Sequence, residues 1–173
     1  ELLMSDIIEA AKVQELPIDG LVTEFSPSQF EINLRHQSCA LTACDQSSML
    51  KRLIKSNANK NNCQATFMAK PMQYQPGSAM HIHVSIFDKK SGKNIFSDQK
   101  GNEADEFYFA LSGLQNHFSG AMALVAPYVK SYRRPPNNDD APANLGWGID
   151  NRTVGLRVPV SKPVSRRIEN RIP

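Results

Sequence analysis

Apolar residues open the chain at helical intervals: Leu2, Leu3, Ile7, Ile8, Ala11 and Val13 predict a helix over 2–14 that Pro17 stops. Leu21 to Leu34 carries two short β-like runs around Ser26-Pro27-Ser28-Gln29, the pattern of a hairpin. Asp45 reads as the N-cap of a second helix, which runs through Met49, Leu50, Leu53 and Ile54 into the polar stretch 57–62. Cys63 to Ala69 and Met80 to Phe87 have strand character, the second closing at the Lys89-Lys90-Ser91-Gly92 turn. From Glu103 to Leu124, Phe107, Leu111, Leu114, Phe118 and Met122 recur at helical spacing, with Val125 just beyond, predicting a core-facing helix ended by Pro127. Strands return near Ala143–Gly148, Thr153–Val158 and Arg167–Ile172, and Pro135 to Pro142 is a loop by composition. Strands interspersed with helices, without a strand–helix–strand rhythm, predict an α+β fold with a largely antiparallel sheet.

Two of these strands are polar along one face. In Gly77-Ser78-Ala79-Met80-His81-Ile82-His83-Val84-Ser85, residues 81, 83 and 85 share a side, and in Arg167-Ile168-Glu169-Asn170-Arg171 so do 167, 169 and 171. The histidines admit two readings, a pair satisfied by backbone and water or part of a ligand site. Ser85 on the same face favours the second, as does Gly77, which lets backbone approach a ligand closely. The arginine–glutamate alternation likewise fits either a solvated strand laced by ion pairs or a surface binding a cation through Glu169 and anions through the flanking guanidiniums. Ile168 and Ile172 mark the opposite face as buried. Arg152 and Arg157, flanking Val154 and Leu156, suit the same demand.

The hairpin raises a separate question. If Pro27 and Ser28 are the central residues of a tight two-residue turn, Glu24 lies directly opposite Glu31, and two carboxylates so placed repel unless a divalent cation neutralises them. A longer turn would change the register and leave both solvated. Glu24, Glu31, His81 and Glu169 are hard or borderline ligands suited to Mg²⁺ or Mn²⁺. With several arginines, they describe phosphoryl transfer.

Composition narrows the class. With 173 residues, 40% hydrophobic and 21% charged, the chain suits one globular domain or a large piece of a bigger protein. Opening on Glu1 and closing on Arg171-Ile172-Pro173, it reads as a fragment. Three irregularly spaced cysteines, Cys39, Cys44 and Cys63, make no disulfide framework, and a reduced, cytoplasmic setting is expected. No apolar run is long enough to span a bilayer. A net charge of +3 gives no reason to expect nucleic acid. The basic excess falls late, in Arg133, Arg134, Arg152, Arg157, Arg166, Arg167 and Arg171, where an anionic ligand is expected.

Phe67-Met68-Ala69-Lys70-Pro71, Gly77 to His83, Asn151-Arg152-Thr153-Val154-Gly155-Leu156-Arg157-Val158-Pro159 and Arg166 to Arg171 together resemble the catalytic domain of the glutamine synthetase family, over essentially the whole chain. The resemblance implies a curved, largely antiparallel sheet with flanking helices over 1–173. It places the family's N-terminal β-grasp domain, an acidic strand with further metal ligands and the C-terminal segment outside these residues. It implies an ATP-dependent ligase that phosphorylates the γ-carboxylate of glutamate, forms an amide with ammonia or an amine, and assembles as a ring-shaped homo-oligomer, a dodecamer. By the same resemblance Glu24 and Glu31 match ligands of one divalent metal, and His81 and Glu169 ligands of another. His83, Ser85, Arg157 and Arg167 match nucleotide-binding positions; Gly77, Arg134 and Arg171 match positions around glutamate. Arg152 matches the arginine on the transferring phosphoryl group, and Asp140 stands where ammonia-using members place a loop glutamate.

Departures bear on the nucleophile. Pro76 replaces a typical asparagine, Ala79 a glycine, and Asp140 shortens the ammonium-site glutamate within Asn137-Asn138-Asp139-Asp140. The Glu24 to Glu31 spacing, Phe30-Glu31-Ile32-Asn33 and Trp147-Gly148-Ile149-Asp150-Asn151-Arg152 look more like the γ-glutamylpolyamine synthetase branch, which implies a polyamine or monoamine acceptor. An ammonia-using enzyme and a scaffold that has lost catalysis are the alternatives; a guanidino kinase has no matching motif. The loop 135–142 is expected to gate water from an acyl phosphate.

Overall fold

The computed structural model describes residues 2–134 and 144–173. The chain forms two compact units, Glu1–Phe67 and Met68–Pro173.

In the first unit, helix α1 (Leu2–Val13) is followed by strands β1 (Ile18–Thr23) and β2 (Phe30–Leu34) and helix α2 (Ala40–Lys60). Ile7 and Ala11, four apart on α1, bury one face against Leu16, Leu50 and Leu53, and Ile18, Ile32 and Leu34 of the hairpin pack on the same cluster. Helix α2 begins before Asp45, with Cys39 as its extended N-cap residue and the Ala43 N–H donating to the Cys39 carbonyl at 3.1 Å. Ala40 and Leu41 are strong helix formers, so the turn propagates backwards past the expected cap. At its end Asn62 takes φ +56°, the left-handed conformation that asparagine tolerates at a helix terminus.

The tight turn at Pro27-Ser28 forms: the Gln29 N–H donates to the Ser26 carbonyl at 3.0 Å, and Ser28 takes φ +59°. Proline followed by a left-handed residue is a type II arrangement, whose twist splays the strands of a two-residue hairpin. Pairing therefore resumes two residues away from the direct register. Glu24 meets Gln29 through a 2.9 Å N–H···O bond, while Glu31 pairs with Val22 and Phe30 with Thr23. The expected direct opposition of Glu24 and Glu31 is thus replaced by a diagonal relation on one face of the ribbon. Since Ile32 and Leu34 face the core, that face points away from it.

The second unit contains β3 (Ile82–Val84), helix α3 (Asp105–Val125), β4 (Asn144–Ile149), β5 (Val154–Val158) and β6 (Ile168–Asn170), with 3₁₀ turns at Val129–Arg133 and Pro163–Ser165. The sheet runs β3-β6-β5-β4. β6 is antiparallel to both neighbours, whereas β4 runs parallel to β5, the one exception to the antiparallel expectation among the described pairs. Helix α3 carries Asp105 and Glu106 in its first turn, where carboxylates favour the N-terminal dipole. It buries Phe107, Leu111 and Phe118 on Leu156, Val158, Ile168 and Ile172, with Phe96 completing the cluster. Leu114, expected in that core, is instead 37% exposed.

Two other expectations are corrected. Cys63–Ala69 forms no strand; the division between the two units falls within it, after Phe67, and no described strand pairs with it to make a ladder. Met80–Phe87 shortens to β3, with Phe87 bridging Asn94 across the 88–93 turn. Among the described residues no helix is long and apolar enough to cross a membrane, and all three cysteines are free.

Candidate active site

Strand β6 lies between β3 and β5, so its polar face has neighbours on both sides. His83 of β3, Glu169 of β6 and Arg157 of β5 are direct partners in one row across the sheet. Side chains two residues away share that face. His81 and Ser85 thereby flank His83, while Arg167 and Arg171 flank Glu169. The reverse face of β6 carries the buried Ile168 and Ile172, so alternation in the sequence becomes a greasy side on α3 and a charged side away from it.

Glu169 is the centre of this face and is 2% exposed. Its Oε1 accepts from Arg171 Nη1 at 2.7 Å and its Oε2 from Arg157 Nη1 at 2.8 Å. His81 Nδ1 lies 3.3 Å from Oε1. Burial pushes the Glu169 carboxyl up, but Arg171, then Arg157 and the two histidines, outweigh it and hold the group below its ordinary 4.5. The buried carboxylate is therefore ionised at neutral pH. Arg167 Nε donates to His83 Nδ1 at 3.2 Å, which leaves the His83 ring proton on Nε2 in that arrangement. Ser85 is exposed just past β3.

Arg157 is gripped twice. Besides Glu169, it donates Nε to Asp150 Oδ1 at 3.0 Å, and Nη2 donates to the same oxygen. Sequence reasoning quoted Asp150 only inside a motif and gave it no part; a lone aspartate in a turn has no periodicity to mark it. The basic residue Arg166, by contrast, is not available to a ligand on this face. It is buried, donates to Ser97 Oγ at 2.9 Å and the Gly101 carbonyl at 3.1 Å, and pairs with Glu103 at 3.2 Å.

Gly77 and Arg134 come together. A Cβ at Gly77 would stand 2.7 Å from the Ala69 carbonyl oxygen and 2.8 Å from Arg134 Cγ, so glycine lets the Arg134 stem lie against this backbone. Arg134 then donates Nη2 to the carbonyl of Ile172, next to Arg171, and Nε to the Ser131 carbonyl at 3.2 Å. Arg152 is exposed in the turn ahead of β5. Asp140 and the expected gate at 135–142 lie outside the described residues. Glu24 and Glu31 belong to the first unit, both half-buried on one face of its hairpin.

Among the described residues no group of three or more His, Cys, Asp and Glu side chains is placed to hold a metal ion. The His81–Glu169 pair nevertheless fits an oxygen-preferring cation. Octahedral Mg²⁺, with ligands at about 2.1 Å, sets adjacent donors about 3 Å apart and commonly takes only one or two protein ligands, the rest being water and phosphate. A deprotonated carboxylate beside an imidazole nitrogen at 3.3 Å offers such a pair.

A groove of about 560 Å³ in the second unit lies elsewhere, lined by Asp88, Asp98, Glu103 and Glu106 among others. It contains none of the row's residues.

Comparison with known proteins bears on the family of the chain. The family described as glutamine synthetase, catalytic domain, matches residues 1–173. The chain is 43% identical over 170 residues to gamma-glutamylputrescine synthetase of Escherichia coli, covering 98% of this chain and 36% of that protein. It is 37% identical over 150 residues to a glutamine synthetase of Pyrococcus horikoshii, covering 87% and 33%. Against glutamate–isopropylamine ligase of a Pseudomonas species it is 33% identical over 173 residues, covering 99% and 37%. The chain thus spans about a third of the length of these relatives. With motifs, sheet and whole-chain match in accord, the chain belongs to the glutamine synthetase catalytic-domain family.

Proposed function

We propose that the protein carrying this chain is an ATP-dependent glutamate–amine ligase, which activates the γ-carboxylate of glutamate as an acyl phosphate and transfers it to an amine larger than ammonia. The observation that carries the reaction class is the sheet face around the row His83–Glu169–Arg157, where the buried, ionised Glu169 carboxylate holds the Arg157 and Arg171 guanidiniums and lies beside the His81 imidazole. Phosphoryl transfer asks the protein chiefly for position and charge, and such a row supplies both.

In this reading His83, Ser85, Arg157 and Arg167 hold the nucleotide, and Arg152 meets the transferring phosphoryl group. Gly77, Arg134 and Arg171 bind glutamate. Arg134 and Arg171 are already fixed on neighbouring backbone and on Glu169, which lowers the ordering cost when a carboxylate arrives. His81 with Glu169 holds one divalent cation, Glu24 with Glu31 another, and Asp140 shapes the amine site. Mg²⁺ or Mn²⁺, when bound, neutralises phosphoryl oxygens. The chain's own work is to orient two anionic substrates and keep Glu169 deprotonated.

A larger amine is supported by Pro76, Ala79 and the shortened Asp140, and by the likeness to relatives named for putrescine and isopropylamine. The test is ADP formation by the full-length protein with ATP, Mg²⁺, glutamate and either ammonia, a primary alkylamine, a diamine or a polyamine. We expect kcat/KM for at least one amine to exceed that for ammonia by about 10-fold or more. Turnover with ammonia and none of the amines would overturn the acceptor; no ADP with any nucleophile would overturn the ligase reading itself.

A further inference from the structure

We propose that Asp150 is a positioning residue for nucleotide binding: from the turn after β4 its carboxylate fixes the Nε edge of Arg157, while Glu169 fixes Nη1 from the sheet. The proposal deepens the reading of Arg157 as a nucleotide ligand and rests on it.

A guanidinium has five N–H groups in one plane. Asp150 Oδ1 takes one from Nε and one from Nη2, and Glu169 Oε2 takes one from Nη1. These bonds leave one N–H on each terminal nitrogen, the number that bidentate contact with phosphate oxygens uses. With only Glu169 as partner, the long Arg157 side chain could pivot about a single bond. With Asp150 added, the plane of the fork is set.

Asp150 is itself held. It takes φ +47°, a conformation that aspartate and asparagine adopt far more readily than most residues. Its N–H donates to the Val158 carbonyl at 2.9 Å, which ties the turn to the end of β5, one residue beyond Arg157. The carboxylate therefore projects from a fixed backbone rather than a loose loop. Because the Asp150 side chain is 54% exposed, the pair contributes little to stability. Its consequence should appear in ligand geometry.

The test uses the full-length protein with Asp150→Gly, Asp150→Asn, Arg157→Ala and the Asp150→Gly/Arg157→Ala double variant. Glycine and asparagine both tolerate the positive φ, so the backbone is kept. For Asp150→Gly the expected result is a KM for ATP raised about 5- to 20-fold, a KM for glutamate and a melting temperature nearly unchanged, and partial recovery in Asp150→Asn through its carbonyl acceptor. Arg157→Ala should raise the KM for ATP by itself, and Asp150→Gly should then add nothing. An unchanged KM in Asp150→Gly beside a raised one in Arg157→Ala would overturn the role of Asp150 alone, as would an Asp150 effect that persists in the double variant. An unchanged KM for ATP in Arg157→Ala would overturn the nucleotide reading of Arg157 and this inference together.

Discussion

Glu169→Ala is expected to lower the unfolding free energy by about 3–5 kcal/mol, because it strips the shared carboxylate from two arginines, one of which, Arg171, is buried beside it. Arg171 is itself 5% exposed, so its guanidinium has little access to water once the carboxylate is gone. At roughly 2–4 °C per kcal/mol for a chain of this size, the melting temperature should fall by roughly 10 °C. ADP formation by the full-length protein should be lost at the same time, since Arg157, Arg171 and His81 all take their places from this one group. Glu169→Gln, which keeps the shape, separates charge from packing. The folded-state pKa of Glu169 is depressed, so its stabilisation is complete above the ordinary value of 4.5 and is lost as pH falls through the lower folded value. Urea unfolding of both proteins across the acid range should show that loss in the wild type and not in Glu169→Gln. A pH-independent difference between them would mean that the charge of Glu169 is not what holds the arginines.

Gly77→Ala is expected to raise the KM for glutamate about 10²-fold while leaving that for ATP nearly unchanged. The new methyl group would press on the Ala69 carbonyl oxygen at 2.7 Å and on Arg134 Cγ at 2.8 Å. Both distances are shorter than real Cβ contacts allow, so something must move. The Ala69 oxygen also accepts the Ser78 N–H at 2.9 Å, which makes the backbone the stiffer neighbour. The Arg134 stem yields instead, taking its guanidinium off the Ile172 carbonyl. A displacement of about 1 Å at a substrate-positioning group commonly costs about that factor. Steady-state kinetics with each substrate varied in turn will read it. A glutamate KM within twofold of wild type would show that Arg134 does not position this substrate.

The polar sheet face is legible in the sequence because a period of two is a strong local signal, and Ile168 and Ile172 tell which side is buried. Helix α3 is legible for the same reason, in Phe107, Leu111 and Phe118. The hairpin was only half so: Pro27-Ser28 marks the turn, but its type, set by the left-handed Ser28, decides the register, and that depends on twist rather than on composition. The start of α2 was missed because Asp45 looks like a cap wherever it stands, while the helix could grow back through Ala40 and Leu41. The contact between Gly77 and Arg134 spans distant parts of the chain and leaves no periodic trace; only family resemblance put the two around one substrate. Arg166 shows the converse hazard, a basic residue beside the site that the fold consumes in holding the 97–103 loop. Glu24 and Glu31 keep a shared face, but nothing within their own hairpin makes them direct opposites.

The most direct test of the account is a calorimetric titration of the full-length protein with a non-hydrolysable ATP analogue, with and without Mg²⁺, for the wild type and Arg167→Ala. Arg167 is half-exposed and bonded to His83 rather than to the buried carboxylate, so its removal spares the fold. If this sheet face is where nucleotide and cation bind, the wild type will require Mg²⁺ for tight binding, and Arg167→Ala will bind at least about 10-fold more weakly, the worth of one charge-assisted contact. Equal affinity in the two proteins, indifferent to Mg²⁺, would place the nucleotide elsewhere and contradict the account.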